Sequence, residues 1–277
     1  MENISISDQL LAIYVFVDDY FKANPDLAQW RKSPNSTPTF SDAEVITIGL
    51  MQGVFGCPTL KKAYLLIASS FHDAFPNLCC YKEWLRRLHG LTSLIGRLIW
   101  AALSPLAEDL YLIDGKPIPV CKSIRNGRVR LLREDGAYFG KGSTGWYFGF
   151  KLHALVHISG QIVTAMLTPG NWPERKVAKA LVEPIKGAVL LADLGYRSKE
   201  LEMDLFEDNQ IVLIHPETRP DKRALISSVR ERVETTFSQL WSHFIDRVFS
   251  RSWNGLWNTI KLKLLHNNLC RAGIISD

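Results

Sequence analysis

No stretch of this chain approaches the roughly 20 consecutive apolar residues that a membrane-spanning helix requires, so no association with a membrane is expected. The opening Met-Glu-Asn-Ile-Ser lacks the basic segment and apolar run of a secretory signal. Cysteine is sparse: Cys57, Cys79, Cys80, Cys121 and Cys270 are odd in number and show no C-x-x-C spacing. That pattern argues against a disulfide framework or a zinc site, and for buried free thiols in a reducing, cytoplasmic setting. Internal repeats, low-complexity tracts and a helix-turn-helix signature are absent as well. What is present is an ordinary globular composition, 47% hydrophobic and 22% charged over 277 residues. A packed core follows, in one large domain or in a catalytic domain with a smaller helical one.

Charge of one sign is also scarce, with a net of only +5, but its distribution is uneven. Residues 114–151 hold eight Lys/Arg against three Asp/Glu, residues 219–277 hold ten against five, and the remainder nets −5. Two basic segments fit a polyanion lying across them, and fit two solvated surfaces equally well.

Residues 1–105 read as helical. Apolar residues recur at helical spacing over Asp8–Ala23, Ser41 with Glu44 forms a capping-box start for a helix to Val54, and further helices are predicted over Thr59–Ser70 and Tyr81–Leu103. Lys61, Lys62, Arg86 and Arg87 could face DNA there, or the bundle could be plain support. From residue 106 the pattern changes. Strands are predicted at Leu110–Cys121, Tyr147–Ile158 and Gln161–Leu167, the last two joined by a Ser159-Gly160 turn. Then follow a helix over Glu174–Ile185, a strand over Ala188–Asp193, a helix over Ser198–Glu207, a strand over Ile211–Ile214 and a helix over Ser228–Ile245. This is the element order of an α/β, ribonuclease-H-like mixed sheet flanked by helices, preceded by an all-helical N-terminal region.

Two short apolar runs within these strands stop on an aspartate: Leu110-Tyr111-Leu112-Ile113 runs into Asp114, and Val189-Leu190-Leu191-Ala192 into Asp193. In the expected order the two strands are neighbours, which brings the aspartates together at one end of the sheet. A third carboxylate, Glu234, follows Val233 at the border of the apolar stripe of the last predicted helix, with Arg230 one turn before it. Alone, that pair would pass for an ordinary surface ion pair at i, i+4. Two strand-end aspartates and a glutamate from a helix laid across the sheet can hold two divalent cations, which clamp the attacking and leaving oxygens of a phosphodiester.

The flanking residues carry more. Asp114-Gly115-Lys116-Pro117-Ile118-Pro119-Val120-Cys121, the stretch from Gly136 to His153, Ala192-Asp193-Leu194-Gly195-Tyr196 and the stretch from Arg230 to Leu240 together resemble DDE-superfamily transposases of bacterial insertion sequences. The carboxylate separations of 79 and 41 residues are similar too. The resemblance runs from about Leu110 to the C-terminus. It implies a ribonuclease-H-like catalytic domain over 106–277, preceded by a helical region over 1–105 for DNA-end binding or dimerisation. Asp114, Asp193 and Glu234 are then the catalytic metal ligands, holding two Mg²⁺ that Mn²⁺ can replace. It further implies cleavage and strand transfer on double-stranded DNA, by a homodimer that brings two element ends together.

Arg230 matches a family position suited to a phosphate or to orienting the glutamate. Lys151 and His153 point toward the same cleft, His153 in a structural role. Lys122, Arg125, Arg128, Arg130, Arg133 and Lys141 form a mobile basic loop that grips the DNA backbone. Tyr111, Tyr138 and Tyr196 are assigned to core or stacking roles and Trp146 to the core, while Trp172 is open between packing and contact with an unpaired base. Departures from the family are Ser227, Trp241 and Leu194, where a tyrosine, a basic residue and a lysine are frequent. Two other readings use the same residues: a host nuclease on this fold, and a transposase derivative that only binds DNA.

Overall fold

A computed structural model of the chain describes residues 4–30, 38–106, 109–125, 127–142, 145–215, 231, 235, 238 and 250–276. Its contacts divide it into two compact units, one of residues 1–102 with 254–277 and the other of residues 103–253. The expected second region ran on to residue 277; the structure instead returns its last two dozen residues to the helical unit.

In the helical unit α1 (Ile6–Ala23), α2 (Asp42–Val54), α3 (Leu60–Ser70), α4 (Tyr81–Gly90) and α5 (Thr92–Ala101) follow the apolar periodicity. Side chains start several of them. The Ser41 hydroxyl accepts from the Glu44 N–H while the Glu44 carboxylate accepts from the Ser41 N–H, and Thr59 caps α3. The single helix predicted over Tyr81–Leu103 is two, broken at Leu91, whose N–H bonds the Leu88 carbonyl. Gly90 weakens the helix there, and the Thr92 hydroxyl donates to the His89 carbonyl.

A C-terminal helix, Trp253–Arg271, escaped the sequence reading. It is buried on every side from Gly255 to Leu269 with little gap, and Asn258, Thr259, Lys263, His266, Asn267 and Asn268 are buried with the leucines. The Asn258 amide donates to the Leu88 carbonyl (3.0 Å) and the Asn268 amide to the Ile99 carbonyl (3.1 Å), which closes the last turns of α4 and α5. Gly53 of α2 lies so near that a Cβ would sit 2.2 Å from the His266 ring. Arg87 pairs with Asp42 at 2.6 Å and stacks over Phe40, so this cation braces the unit.

The second unit is built on β1 (Leu110–Pro119), β2 (Tyr138–Gly142), β3 (Gly145–His157), β4 (Ile162–Pro169), β5 (Val189–Ala192) and β6 (Val212–Ile214). The sheet order is β2-β3-β1-β5-β6, with β4 also on β3. β3 runs antiparallel to β1, β2 and β4, whereas β1, β5 and β6 are parallel. Helices α6 (Arg175–Val182) and α7 (Lys199–Asn209) share one core with Ile113, Leu155, Val163 and Leu190 through Val177, Leu181, Leu201 and Leu205. This is the α/β, ribonuclease-H-like mixed sheet that the element order predicts, with the helical region ahead of it. Strand β2 was not foreseen, because its Tyr-Phe-Gly-Lys-Gly carries two glycines and reads as loop. Its pairing with β3 makes it a strand.

The helix predicted over Ser228–Ile245 lies outside the described residues except at Glu231, Thr235 and Ser238, which are helical. The Thr235 hydroxyl donates to the Glu231 carbonyl four residues back (2.8 Å). Among the described residues, no helix is long and apolar enough to cross a membrane. The five cysteines are free thiols, but only Cys57 is buried and Cys80 is exposed.

Candidate active site

The β1·β5 ladder sets Ile113 opposite Ala192, and Asp114 and Asp193 are the next residues on the two strands. Neighbouring parallel strands thus deliver two carboxylates to the end of their shared ladder: Asp193 follows the last residue of β5, whereas Asp114 lies within β1, which continues along β3 to Pro119. Each is oriented locally. Asp114 Oδ1 accepts from the Gly115 N–H (2.7 Å) and Oδ2 faces the Lys116 ammonium (3.1 Å). Asp193 Oδ1 accepts from the Gly195 N–H (2.9 Å), capping the short turn Leu194–Tyr196. The Asp193 carbonyl accepts from His215 Nδ1 (3.1 Å), which must carry the proton because a carbonyl cannot donate.

A third carboxylate that the sequence reading passed over stands beside them. Glu174 precedes the first turn of α6, where the positive end of the helix favours an anion. Its Oε1 pairs with the Lys151 ammonium at 3.0 Å, both side chains being more than four-fifths buried. A Cβ built on Gly195 would lie 1.9 Å from Glu174 Oε2, and one built on Gly115 would lie 3.3 Å from Oε1. The carboxylate therefore occupies a notch that two glycines leave open, one directly after Asp114 and the other two residues after Asp193.

The electrostatics reflect this crowding. Burial pushes the Asp114 carboxyl up; Lys116 and the Gly115 N–H oppose the rise, and Asp193 adds to it. Burial likewise raises Glu174, with Lys151 opposing and both aspartates contributing. Beneath them His153 is fully buried between the Thr168 hydroxyl (Nε2, 2.9 Å) and the Tyr196 hydroxyl (Nδ1, 3.4 Å). Burial and then Lys151 lower its pKa to about 4, which keeps the ring neutral. Burial also raises the Tyr196 phenol far above its ordinary range.

An open pocket of about 350 Å³ reaches Glu174 but neither aspartate, and is lined by Lys141, Lys151, Trp172, Glu174, Arg175 and Gly195 among others. The Gly170–Pro173 loop forming one wall is braced: the Tyr147 hydroxyl donates to the Gly170 carbonyl (3.1 Å) and the Trp172 N–H to the Pro169 carbonyl (2.9 Å). Trp172 is part exposed, with the Lys176 ammonium 5.8 Å from its ring centroid. Trp146 is 66% exposed, against its expected core place, at the start of β3 opposite Lys141 of β2. Tyr111 and Tyr196 are core residues, and Tyr138 is exposed.

Of the basic residues expected on DNA, Lys141 and Lys151 line the pocket, while Lys122, Arg125, Arg128, Arg130 and Arg133 are exposed before β2. The expected loop from Lys122 to Lys141 gives way to fixed structure in its second half. Leu132 and Ala137 are buried and bonded to each other, and Arg133 stacks over Phe148 at 5.4 Å. Glu234 and Arg230 lie outside the described residues. Among the described residues, no three acidic, His or Cys side chains form a ready metal cage. The aspartate pair still fits a hard divalent cation, which takes carboxylate oxygens and completes its shell with water and phosphate. Glu174 was illegible because a lone glutamate after Trp-Pro reads as a helix start; the two glycines beside the aspartates were the available signal.

Comparison with known proteins gives one family: residues 106–243 match the family model described as "Transposase DDE domain". No curated protein and no solved structure matches the chain.

Proposed function

Because this chain belongs to the DDE-superfamily transposases, whose members act on DNA with divalent metals, we propose that it cuts and joins DNA strands at Asp114, Asp193 and Glu234. The observation that carries this reading is the pairing of β1 with β5, which sets Asp114 and Asp193 side by side at the end of their shared ladder. Both offer hard oxygen donors, and Glu234 is the third donor by its family position. Divalent ions, Mg²⁺ or in its place Mn²⁺, supply positive charge to the attacking and leaving oxygens.

The chain's own residues do the rest. The sheet holds the two aspartates rigidly, so little reorganisation is needed when a phosphodiester enters. Lys151 and Lys141 face the pocket and neutralise phosphate oxygens beside the carboxylates. The exposed Lys122, Arg125, Arg128, Arg130 and Arg133 track the DNA backbone farther out, and Arg230 steadies Glu234 or a phosphate. In cleavage a water oxygen bonds to phosphorus and loses its proton as the 3′-oxygen of the nucleotide on the 5′ side departs and takes up a proton, leaving a 5′-phosphate on the other side. In joining, the freed 3′-hydroxyl repeats the attack on target DNA and the target's own 3′-oxygen leaves. A homodimer on double-stranded DNA would hold the two element ends.

The test is nicking of supercoiled plasmid and joining of a labelled 3′-OH end by the full chain, with Mg²⁺ and with chelator. Mg²⁺-dependent nicking and joining, both lost in Asp193→Asn, are expected. Nicking without joining would identify a nuclease on this fold. Activity that survives chelation or Asp193→Asn would overturn the reading.

A further inference from the structure

Glu174 is neither one of the three family carboxylates nor a bystander in the core. Its side chain starts just before the first turn of α6, crosses to the middle of β1 and the turn after β5, and meets the main chain next to each aspartate. The fit depends on glycine at both places, and it is tightest at Gly195, where any Cβ would collide with Oε2 at 1.9 Å. Lys151 of β3 bonds the other oxygen at 3.0 Å and shares the pocket wall with Glu174. Three strands and a helix therefore converge on one carboxylate: β1 through Gly115, β3 through Lys151, the turn after β5 through Gly195, and α6 through its own backbone.

Placing a buried anion beside two others is unfavourable unless something offsets it. Lys151 offsets part, and both aspartates still act against Glu174. A core-filling role would be met at lower cost by an apolar side chain, since the notch needs only volume. The charge is needed where it fixes other charges. We propose, on the reading that Asp114 and Asp193 hold divalent cations, that Glu174 is a positioning residue. It sets the gap between the two aspartate-bearing strands and aims the Lys151 ammonium at the phosphate that enters the pocket.

Outer-shell partners of metal ligands are worth about 10–100-fold in metal affinity or activity, and that is the size of effect expected. The experiment is Mn²⁺ titration by calorimetry into the full chain without DNA, alongside thermal unfolding and the Mg²⁺ dependence of plasmid nicking. Glu174→Gln keeps the shape and removes the charge; Glu174→Asp keeps the charge and shortens the reach. Gly195→Ala leaves Glu174 intact but displaces its carboxylate, and it also crowds Asp193 Oδ1 at 3.1 Å, so it supports the Glu174 variants and does not replace them.

Glu174→Gln and Gly195→Ala should each weaken Mn²⁺ binding about 10-fold or more and raise the half-saturating Mg²⁺ in proportion, with cooperative unfolding retained. Glu174→Asp should recover part of the loss. Wild-type metal affinity and metal dependence in Glu174→Gln, whatever its melting temperature, overturn the inference and leave the proposed function standing. If Glu174→Gln does not fold, Glu174→Asp decides by the same two readouts, wild-type metal affinity and metal dependence again overturning the inference. A wild-type chain that neither binds Mn²⁺ nor nicks DNA overturns the proposed function, and this inference with it.

Discussion

In the helical unit, the buried amides of Asn258 and Asn268 go to backbone carbonyls and close the ends of α4 and α5, and the Arg87 cation is paired with Asp42. In the sheet unit, buried polar groups face each other. Asp114 and Glu174 are pushed up by burial and by neighbouring carboxylates, and His153 is held neutral between two hydroxyls. The first pattern stabilises, because each satisfied carbonyl would otherwise cost free energy. The second does not stabilise; clustered, perturbed titratable groups beside a pocket are the mark of a working site. Burial alone does not separate the two. What the polar group faces does.

The sharpest way to break this contrast is at the aspartates. Asp114→Asn or Asp193→Asn should lower DNA nicking by more than the roughly 10–100-fold that outer-shell residues cost. The melting temperature of the protein without metal should be unchanged or higher, because a crowded charge is gone. A large loss of stability instead would make the carboxylates structural.

The next effect concerns acid. His153 has a folded pKa of about 4 against an ordinary 6.5, so the unfolded chain takes up the extra proton in that window. Its contribution is present above pH 6.5 and falls as pH drops toward 4, by about 3 kcal/mol once the folded pKa is passed. Urea unfolding across pH 4–7 should show a shallower acid limb in His153→Gln than in the parent.

In the helical unit the expectation reverses. Asn268→Ala leaves the Ile99 carbonyl without its amide donor and should cost about 1–3 kcal/mol, measured by denaturant unfolding. Nicking per folded molecule should keep its Mg²⁺ dependence. Least costly to the fold is Arg125→Ala/Arg128→Ala/Arg130→Ala, because all three side chains are exposed. It should leave stability unchanged while the salt slope of DNA binding shrinks by about 0.9 for each phosphate that is no longer neutralised. An unchanged slope would remove this segment from the interface.

Legibility divides along the same line as the chemistry. Apolar runs ending in aspartate announce buried strand segments, so β5 and the half of β1 that pairs with it could be read directly. The capping box of Ser41 and Glu44 marked α2 for the same local reason. The C-terminal helix could not be read, since a helix buried all round has no polar face to set its period, and its asparagines mimic surface. Glu174 was hidden for a related reason: its meaning lies in contacts to β1, β3 and the turn after β5, residues 21 to 59 positions away.

By itself the sequence determined most of the local elements, the alternation of strand and helix, and the two aspartates that close apolar runs, because these depend on the nearest few residues and on periodicity. The tertiary structure alone decided that residues 254–277 fold back into the helical unit and that Trp146 faces solvent. It alone put a lysine-paired glutamate in the gap between two glycines at the carboxylate end of the sheet. Those outcomes turn on which distant segments share space, and packing of that kind leaves no trace in the order of neighbouring residues.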